Sequence, residues 1–368
     1  MEALYENLLT VEGKQLVMWV IGGCLIYLAI ARNMEPALLL PMGFGAILVN
    51  LPGSGGAAVE HLFHIGIEEY ELFPLLLFIG IGAMIDFQPL LENPKLMLFG
   101  AAAQFGVFFT LCLASLLGFG WKDAASIAVI GAADGPTSIF VATQLQSDYL
   151  SAILVAAYSY MALVPIIQPP VIRLCTSKAE RRIKMPYRGM PVSKTTKILF
   201  PILVTVIAGL AAPDAAALIG FLMFGNLLRE CGVLDSLSET ARNVLANLVT
   251  LLLGLSVAAR MTAREFLRGE TLMILGLGLA AFLMDTVGGI LLAKLMNLFS
   301  REKINPMIGA AGISAFPMSA RVVHKMGLEE DKNNYLLMHA VGVNVSGQIA
   351  SVIAGGLVLA LTRRRMGG

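Results

Sequence analysis

The sequence predicts an all-α integral membrane protein of two inverted repeats, with about 10–12 membrane segments and two broken helices meeting near the bilayer midplane. Three observations carry this reading. Of 368 residues, 57% are hydrophobic and only 14% charged, close to half the charge of an average soluble domain, and the mean hydropathy is +0.78. Apolar runs long enough to span a bilayer recur along the whole chain. Two of those runs are interrupted, at corresponding places in the two halves, by glycine, proline and polar residues.

The composition excludes an ordinary cytoplasmic enzyme, a disordered chain, a disulfide scaffold and a nucleic-acid-binding module. A net charge of +1 provides no field to steer nucleic acid. Cys24, Cys112, Cys175 and Cys231 show neither CxxC nor zinc spacing and sit in or beside apolar runs, so neither disulfides nor a metal are expected. Glu2, Glu6 and Glu12 stand where a signal peptide would be positive, so the first apolar run is expected to stay in the membrane. There is no GxxxxGK[ST] nucleotide loop, no Met-Lys-Met biotin attachment site and no voltage-sensor arginine ladder.

A spanning helix needs roughly 20 mostly apolar residues. Such runs lie near 15–32, 35–50, 72–88, 94–118, 124–147, 149–172, 196–211, 214–232, 239–260, 270–298, 305–327 and 333–362. Residues 173–197 carry eight Lys or Arg and one Glu, which places them in the cytoplasm by the positive-inside rule. The loop 51–72, with Glu60, Glu68, Glu69 and Glu71 and no Lys or Arg, reads as external. Both assignments hold only if one segment between 72 and 172 fails to cross, and the interrupted 124–147 is that segment. The domains are therefore an N-terminal membrane repeat (1–172), a basic cytoplasmic linker (173–197) and a C-terminal membrane repeat (198–368). Mirrored halves would put Arg363, Arg364 and Arg365 outside, for which the charge rule gives no reason.

The repeat is visible in GIGAMIDFQPLLENPKLMLFG (80–100) against GLSVAARMTAREFLRGETLMILG (254–276), and in the GAA of 131–133 against that of 309–311. Broken helices at matching places in two halves point to a transport site at the midplane. The first break is Gly131-Ala-Ala-Asp134-Gly-Pro-Thr-Ser138. Proline and glycine free backbone carbonyls there, and a carboxylate beside carbonyls and hydroxyls is an all-oxygen site of the kind hard cations take. Asp134 before Gly-Pro is also a good helix cap, and both roles can hold together. An ionisable residue inside a membrane segment is a functional candidate in its own right.

The second break runs from Asn305-Pro306 through Gly309, Ser314 and Pro317 to Arg321. Asn305 is either a ligand or a cap, and Arg321 either snorkels to the headgroups or grips a carboxylate bidentately. Seven residues past Ser314, Arg321 would lie about two helical turns, roughly 10 Å, nearer the aqueous side. Tyr158 and Tyr160, Asn344, Ser346 and Gln348, and the buried candidates Asp285 and Gln104 are weaker signals. His61 and His64 read as solvated loop residues.

GAADGPTSIF, NPMIGAAGISAFPMSARVVHKMG and HAVGVNVSGQIAS resemble signatures of the β subunit of sodium-pumping biotin-dependent decarboxylases acting on oxaloacetate, methylmalonyl-CoA or glutaconyl-CoA, and the resemblance runs over essentially the whole chain. It implies a multi-pass protein of the cytoplasmic membrane with a sodium–proton-antiporter-like fold. It also implies decarboxylation of carboxybiotin on a carrier subunit, consumption of a proton and export of Na⁺. By resemblance the essential aspartate is Asp134, and the tyrosine of the next helix is Tyr160. Asn305, Gly309 and Ser314 match the pattern Asn-x3-Gly-x4-Ser, and Arg321 and Asn344 the later arginine and asparagine. Na⁺ is then expected at Asp134, Asn305 and Ser314, with Gly309 and Asn344 nearby, Tyr160 in the proton path and Arg321 on the carboxylate of carboxybiotin. The implied cofactors are Na⁺ and a carboxybiotin not attached to this chain. The implied partners are a biotin carrier subunit, a carboxyltransferase α subunit, a small single-span γ or δ subunit and further copies of the chain. The chain length resembles the shorter acyl-CoA type. The alternatives are a secondary Na⁺/H⁺ antiporter or Na⁺-coupled symporter, and a membrane anchor, which would gain nothing from Asp134.

Overall fold

The computed structural model describes residues 10–53, 55–187, 189 and 191–367. Glu2 and Glu6 lie outside the described residues. No strand occurs among them. Seven described helices are long and apolar enough to cross a membrane, and two shorter apolar helices accompany them. The protein is an all-α, multi-pass membrane protein.

Ion pairs mark the two ends of the bundle. One end joins Arg173 to Glu329, Arg181 to Glu330, Lys184 to Asp331 and Arg229 to Asp86; it holds the basic linker, and the charge rule expects it in the cytoplasm. The other joins Arg260 to Glu60, Lys122 to Asp148 and Arg363 to Asp214. The terminal arginines find partners at this second end, the outer one in the expected orientation. Arg363 is tied to Asp214 and Gln144, and Arg365 lies over the Trp121 ring at 4.1 Å.

Between these ends the chain runs through α1 (Gly13–Arg32), α2 (Pro36–Val49), a surface helix α3 (Gly55–Phe63), α4 (Leu72–Met84), the interrupted pair α5 (Met97–Ala103) and α6 (Phe105–Leu116), a first hairpin, and α9 (Leu150–Cys175). After the linker come α10 (Lys194–Ala211), α11 (Ala216–Glu230), α12 (Ala246–Ala258), α13 (Gly269–Phe299), a second hairpin and α15 (Leu337–Met366). A π-helical turn precedes both α4 (His64–Glu69) and α12 (Thr240–Leu245). The halves interlock: α2 packs on α12, and α4 on α11. At the second of these crossings, a Cβ on Gly82 would sit 1.9 Å from the Leu222 carbonyl oxygen, and one on Gly225 would sit 2.1 Å from that of Ile79. Small residues let the backbones touch, which is how membrane helices gain packing energy without a hydrophobic driving force.

The first hairpin comprises α7 (Trp121–Ala128), a 3-10 turn (Val129–Ala132) and α8 (Gly135–Gln144). Both its ends lie at the outer end, where Lys122 bonds the Gln146 carbonyl and Asp148, and Ser147 donates to Asp123. The second hairpin is a 3-10 stretch (Pro306–Gly312), an extended crossing that contains a cis Phe316–Pro317 bond, and α14 (Met318–Glu330). It begins and ends on the cytoplasmic linker: Asn305 donates to the carbonyls of Arg181 and Ile183, and Glu330 accepts from Arg181. The two hairpins thus enter from opposite ends and meet in the interior. Residues 123–142 and 305–315 are buried throughout. Non-helical backbone of this kind is tolerated at membrane depth only inside protein or along a cavity.

Candidate functional site at the hairpin tips

Asp134 sits at the turn of the first hairpin. Ala133 adopts φ +52° and ends the 3-10 turn, Pro136 starts α8, and the Asp134 carboxylate accepts from the Thr137 N–H at 3.3 Å as the helix cap. The side chain is therefore both cap and ligand candidate. Its Oδ2 accepts from three hydroxyls: Thr137 at 2.8 Å, Ser314 at 3.1 Å and Ser351 at 2.5 Å. These come from the first hairpin, the second hairpin and α15. The tips are also joined by backbone, since the Ser314 N–H donates to the Ala132 carbonyl at 2.9 Å.

α15 supports the second tip. Asn344 donates to the Ala311 and Ile313 carbonyls at 3.1 and 2.7 Å, and Gln348 donates to the Ser314 carbonyl. Asn344 Oδ1, Gln348 Oε1 and the Tyr158 hydroxyl are buried with no hydrogen-bond partner. The Tyr158 ring lies on Gly135, where a Cβ would come within 2.6 Å of it. No cation pairs with Asp134 among the described residues. Burying an uncompensated ion costs on the order of several kcal/mol, and hydroxyl bonds return only about 1 kcal/mol each. A monovalent cation among these oxygens would balance the charge, and each hydroxyl could turn a lone pair to the ion while remaining in place. The donors gathered around Asp134 are all oxygens, the set that a hard ion takes.

Only some of the expected residues meet at the tips. Asp134, Ser314 and, through the tip it braces, Asn344 come together. Asn305 does not join them: it is buried at the cytoplasmic mouth of the second hairpin, its oxygen caps the Met307 N–H and its amide binds the linker. Gly309 is a crossing point; a Cβ there would lie 2.1 Å from the Gly289 carbonyl oxygen, and one on Gly289 would lie 2.0 Å from that of Gly309. Tyr160 donates to the Leu275 carbonyl and borders an apolar cavity of about 240 Å³ with Leu25, Leu163 and Phe266. Positions two apart on a helix point to different faces, and it is Tyr158 that faces Asp134. Arg321 is exposed on the first turn of α14. The spacing of two helical turns from Ser314 does not hold, because residues 313–317 are not helical. Thr137, one of the hydroxyls of the first break, and Ser351, which was not singled out, complete the cluster. Ser351 was findable: it follows Asn344 by seven residues, two turns along one helix face.

A family model described as the Na⁺-transporting oxaloacetate decarboxylase beta subunit matches residues 14–362. The chain is 48% identical to the methylmalonyl-CoA decarboxylase subunit beta of Propionigenium modestum, covering 94% of both chains. It is 50% identical to the glutaconyl-CoA decarboxylase subunit beta of Acidaminococcus fermentans (94% of this chain, 92% of the relative). It is 44% identical to the oxaloacetate decarboxylase beta chain of Haemophilus ducreyi, over 94% of each. With a buried carboxylate shared by two opposed hairpins and a family match spanning nearly its whole length, the chain belongs to the Na⁺-transporting oxaloacetate decarboxylase beta subunit family.

Proposed function

We propose that this chain is the membrane subunit of a sodium-pumping decarboxylase, releasing CO₂ from carboxybiotin presented by a carrier subunit while moving Na⁺ outward through the hairpin tips. The observation that carries this is Asp134, buried without a cationic partner and reached by hydroxyls from both hairpins. Na⁺ binds between Asp134, Ser314, Ser351 and Thr137. A proton arriving at the same carboxylate displaces the ion. That proton is then consumed at the ring nitrogen of biotin as the N–CO₂⁻ bond breaks, leaving N–H and CO₂, so charge and atoms balance. Arg321, on the solvent-facing side of α14, binds the carboxylate to be lost. Tyr160 serves the proton path through its own helix, α9.

The partners are the biotin carrier, a carboxyltransferase α subunit and a small γ or δ subunit, with further copies of this chain. The higher identity to the two acyl-CoA relatives supports an acyl-CoA-type complex. The matching order of passes, π-helical turns and hairpins supports two inverted repeats, 1–172 and 198–368, on either side of the 173–197 linker. Family membership does not favour a secondary antiporter.

The test is decarboxylation of free carboxybiotin by the purified complex with and without Na⁺. Asp134→Asn is expected to abolish the Na⁺-dependent rate while the protein still inserts. Coupled transport by the Asn variant would overturn the reading. Arg321→Lys is expected to impair decarboxylation, because a point charge lacks the planar fork, yet to leave Na⁺ protection of Asp134 against carbodiimide intact. Normal turnover by that variant would favour an antiporter with a snorkelling arginine.

A further inference from the structure

A second buried carboxyl lies at the middle of the membrane core, and nothing in the proposed cycle uses it. Asp285 is fully buried near the centre of α13. Its Oδ1 accepts from the Gly106 N–H at 2.5 Å, and the Val107 N–H also bonds it. These are free amides at the start of α6, which begins afresh after the interruption at Gln104. Asp285 therefore caps a helix broken inside the membrane, from another helix. Its other oxygen, Oδ2, has no partner.

The direction of that oxygen is informative. A Cβ built on Gly131 would lie 2.9 Å from Asp285 Oδ2, so the free oxygen faces the backbone of the first hairpin three residues before Asp134. A further buried acceptor, Gln104 Oε1 at the interruption itself, also has no donor. Two buried acceptors beside the α6 start, Asp285 Oδ2 and Gln104 Oε1, are thus left without donors. That imbalance is relieved by a cation and worsened by an anion. The partial positive charge of a helix N-terminus, about half an elementary charge, does not balance a full carboxylate, and no ion pair involves Asp285 among the described residues.

We propose that Asp285 Oδ2 binds a second Na⁺, in exchange with a proton, against the hairpin backbone at Gly131. It shares a wall with the Asp134 site, because α13 packs against both hairpins: Ala281 and Asp285 meet Gly131, and Gly289 meets Gly309. The inference rests on the sodium reading of Asp134 only in sharing the same ion.

The experiment is dicyclohexylcarbodiimide labelling of the intact complex, with modified residues located by mass spectrometry, in Na⁺ and in N-methylglucamine. Both Asp134 and Asp285 are expected to react, and Na⁺ is expected to slow both. In Asp134→Asn, labelling at Asp285 should persist and remain Na⁺-sensitive. Asp285→Asn keeps an oxygen to cap Gly106, and should hold about half as much ²²Na⁺ per chain as the unaltered protein. Absence of labelling at Asp285, labelling indifferent to Na⁺, or unchanged ²²Na⁺ binding in Asp285→Asn would each overturn the proposal and leave Asp285 a helix cap. Loss of Na⁺ protection at Asp134 alone would instead overturn the first reading. The labelling of unaltered protein decides the matter even where the Asn variant does not fold.

Discussion

At the scale of single residues, the hydroxyls around Asp134 are individually modest. Losing one costs about 1 kcal/mol, so Ser314→Ala should raise the Na⁺ concentration for half-maximal decarboxylation roughly five-fold; an unchanged requirement would remove Ser314 from the site. Glu71 makes a separate prediction at the outer end. Burial lifts its carboxyl to about 7, opposed in part by the bond from Gln144. Below the usual carboxylate range, folded and unfolded chains are both protonated. As pH rises towards 7 the unfolded chain releases its proton and the folded one keeps it, so stability falls over that window. Glu71→Gln should therefore raise the thermal midpoint above pH 7, by an amount equivalent to roughly 1–3 kcal/mol, and leave it unchanged near pH 4; scans of detergent-solubilised protein across pH measure this. That Asp134 and Ser314 lie at breaks was legible in the sequence, because glycine and proline inside an apolar run interrupt a helix, and the two side chains meet there. Tyr158 was not separable from Tyr160, since both sit in an apolar segment and only the rotation of α9 decides between them.

At the scale of elements, the broken segments 124–147 and 305–327 were legible as interruptions, and their hairpin form follows from length. Helices of the size of α7 and α8 cannot span a bilayer core about 30 Å thick. What the sequence could not convey was where each polar group along a break is spent. Asn305 reads equally well as ligand or cap until its linker partners are seen, and the non-helical stretch after Ser314 invalidates any estimate from helical rise. The Gly309–Gly289 crossing sets the depth of the second hairpin. Gly309→Ala forces backbone apart at a contact near 2 Å, and overpacking of this kind costs about 1–3 kcal/mol. The variant should lose thermal stability and weaken Na⁺ protection of Asp134. Gly289→Ala should do the same, and the double variant should cost less than the sum because one contact is shared.

At the scale of the whole molecule, the direction of each pass follows from charge. The basic linker and acidic loop 51–72 give the expected orientation, in which Arg363 and Arg365, anomalous by charge alone, are tied to Asp214, Gln144 and Trp121 at the outer end. In a background lacking the native cysteines, Asp214→Cys and Asp331→Cys should react with a membrane-impermeant maleimide from opposite faces. Labelling of both from one face would contradict the assigned orientation.

The dependence of the first hairpin on distant sequence has a consequence for how the protein is made. Its supports are Ser314 and Ser351 on Asp134, and α13 against Gly131. All of them leave the ribosome more than a hundred residues after the hairpin itself. Until they arrive, a broken, polar-tipped loop has no protein to bury it and cannot rest in lipid. Residues 1–172 produced alone should therefore be degraded. The same fragment produced alongside 173–368 should be rescued, because the second half brings the missing walls, and the first hairpin should be among the last parts of the chain to settle.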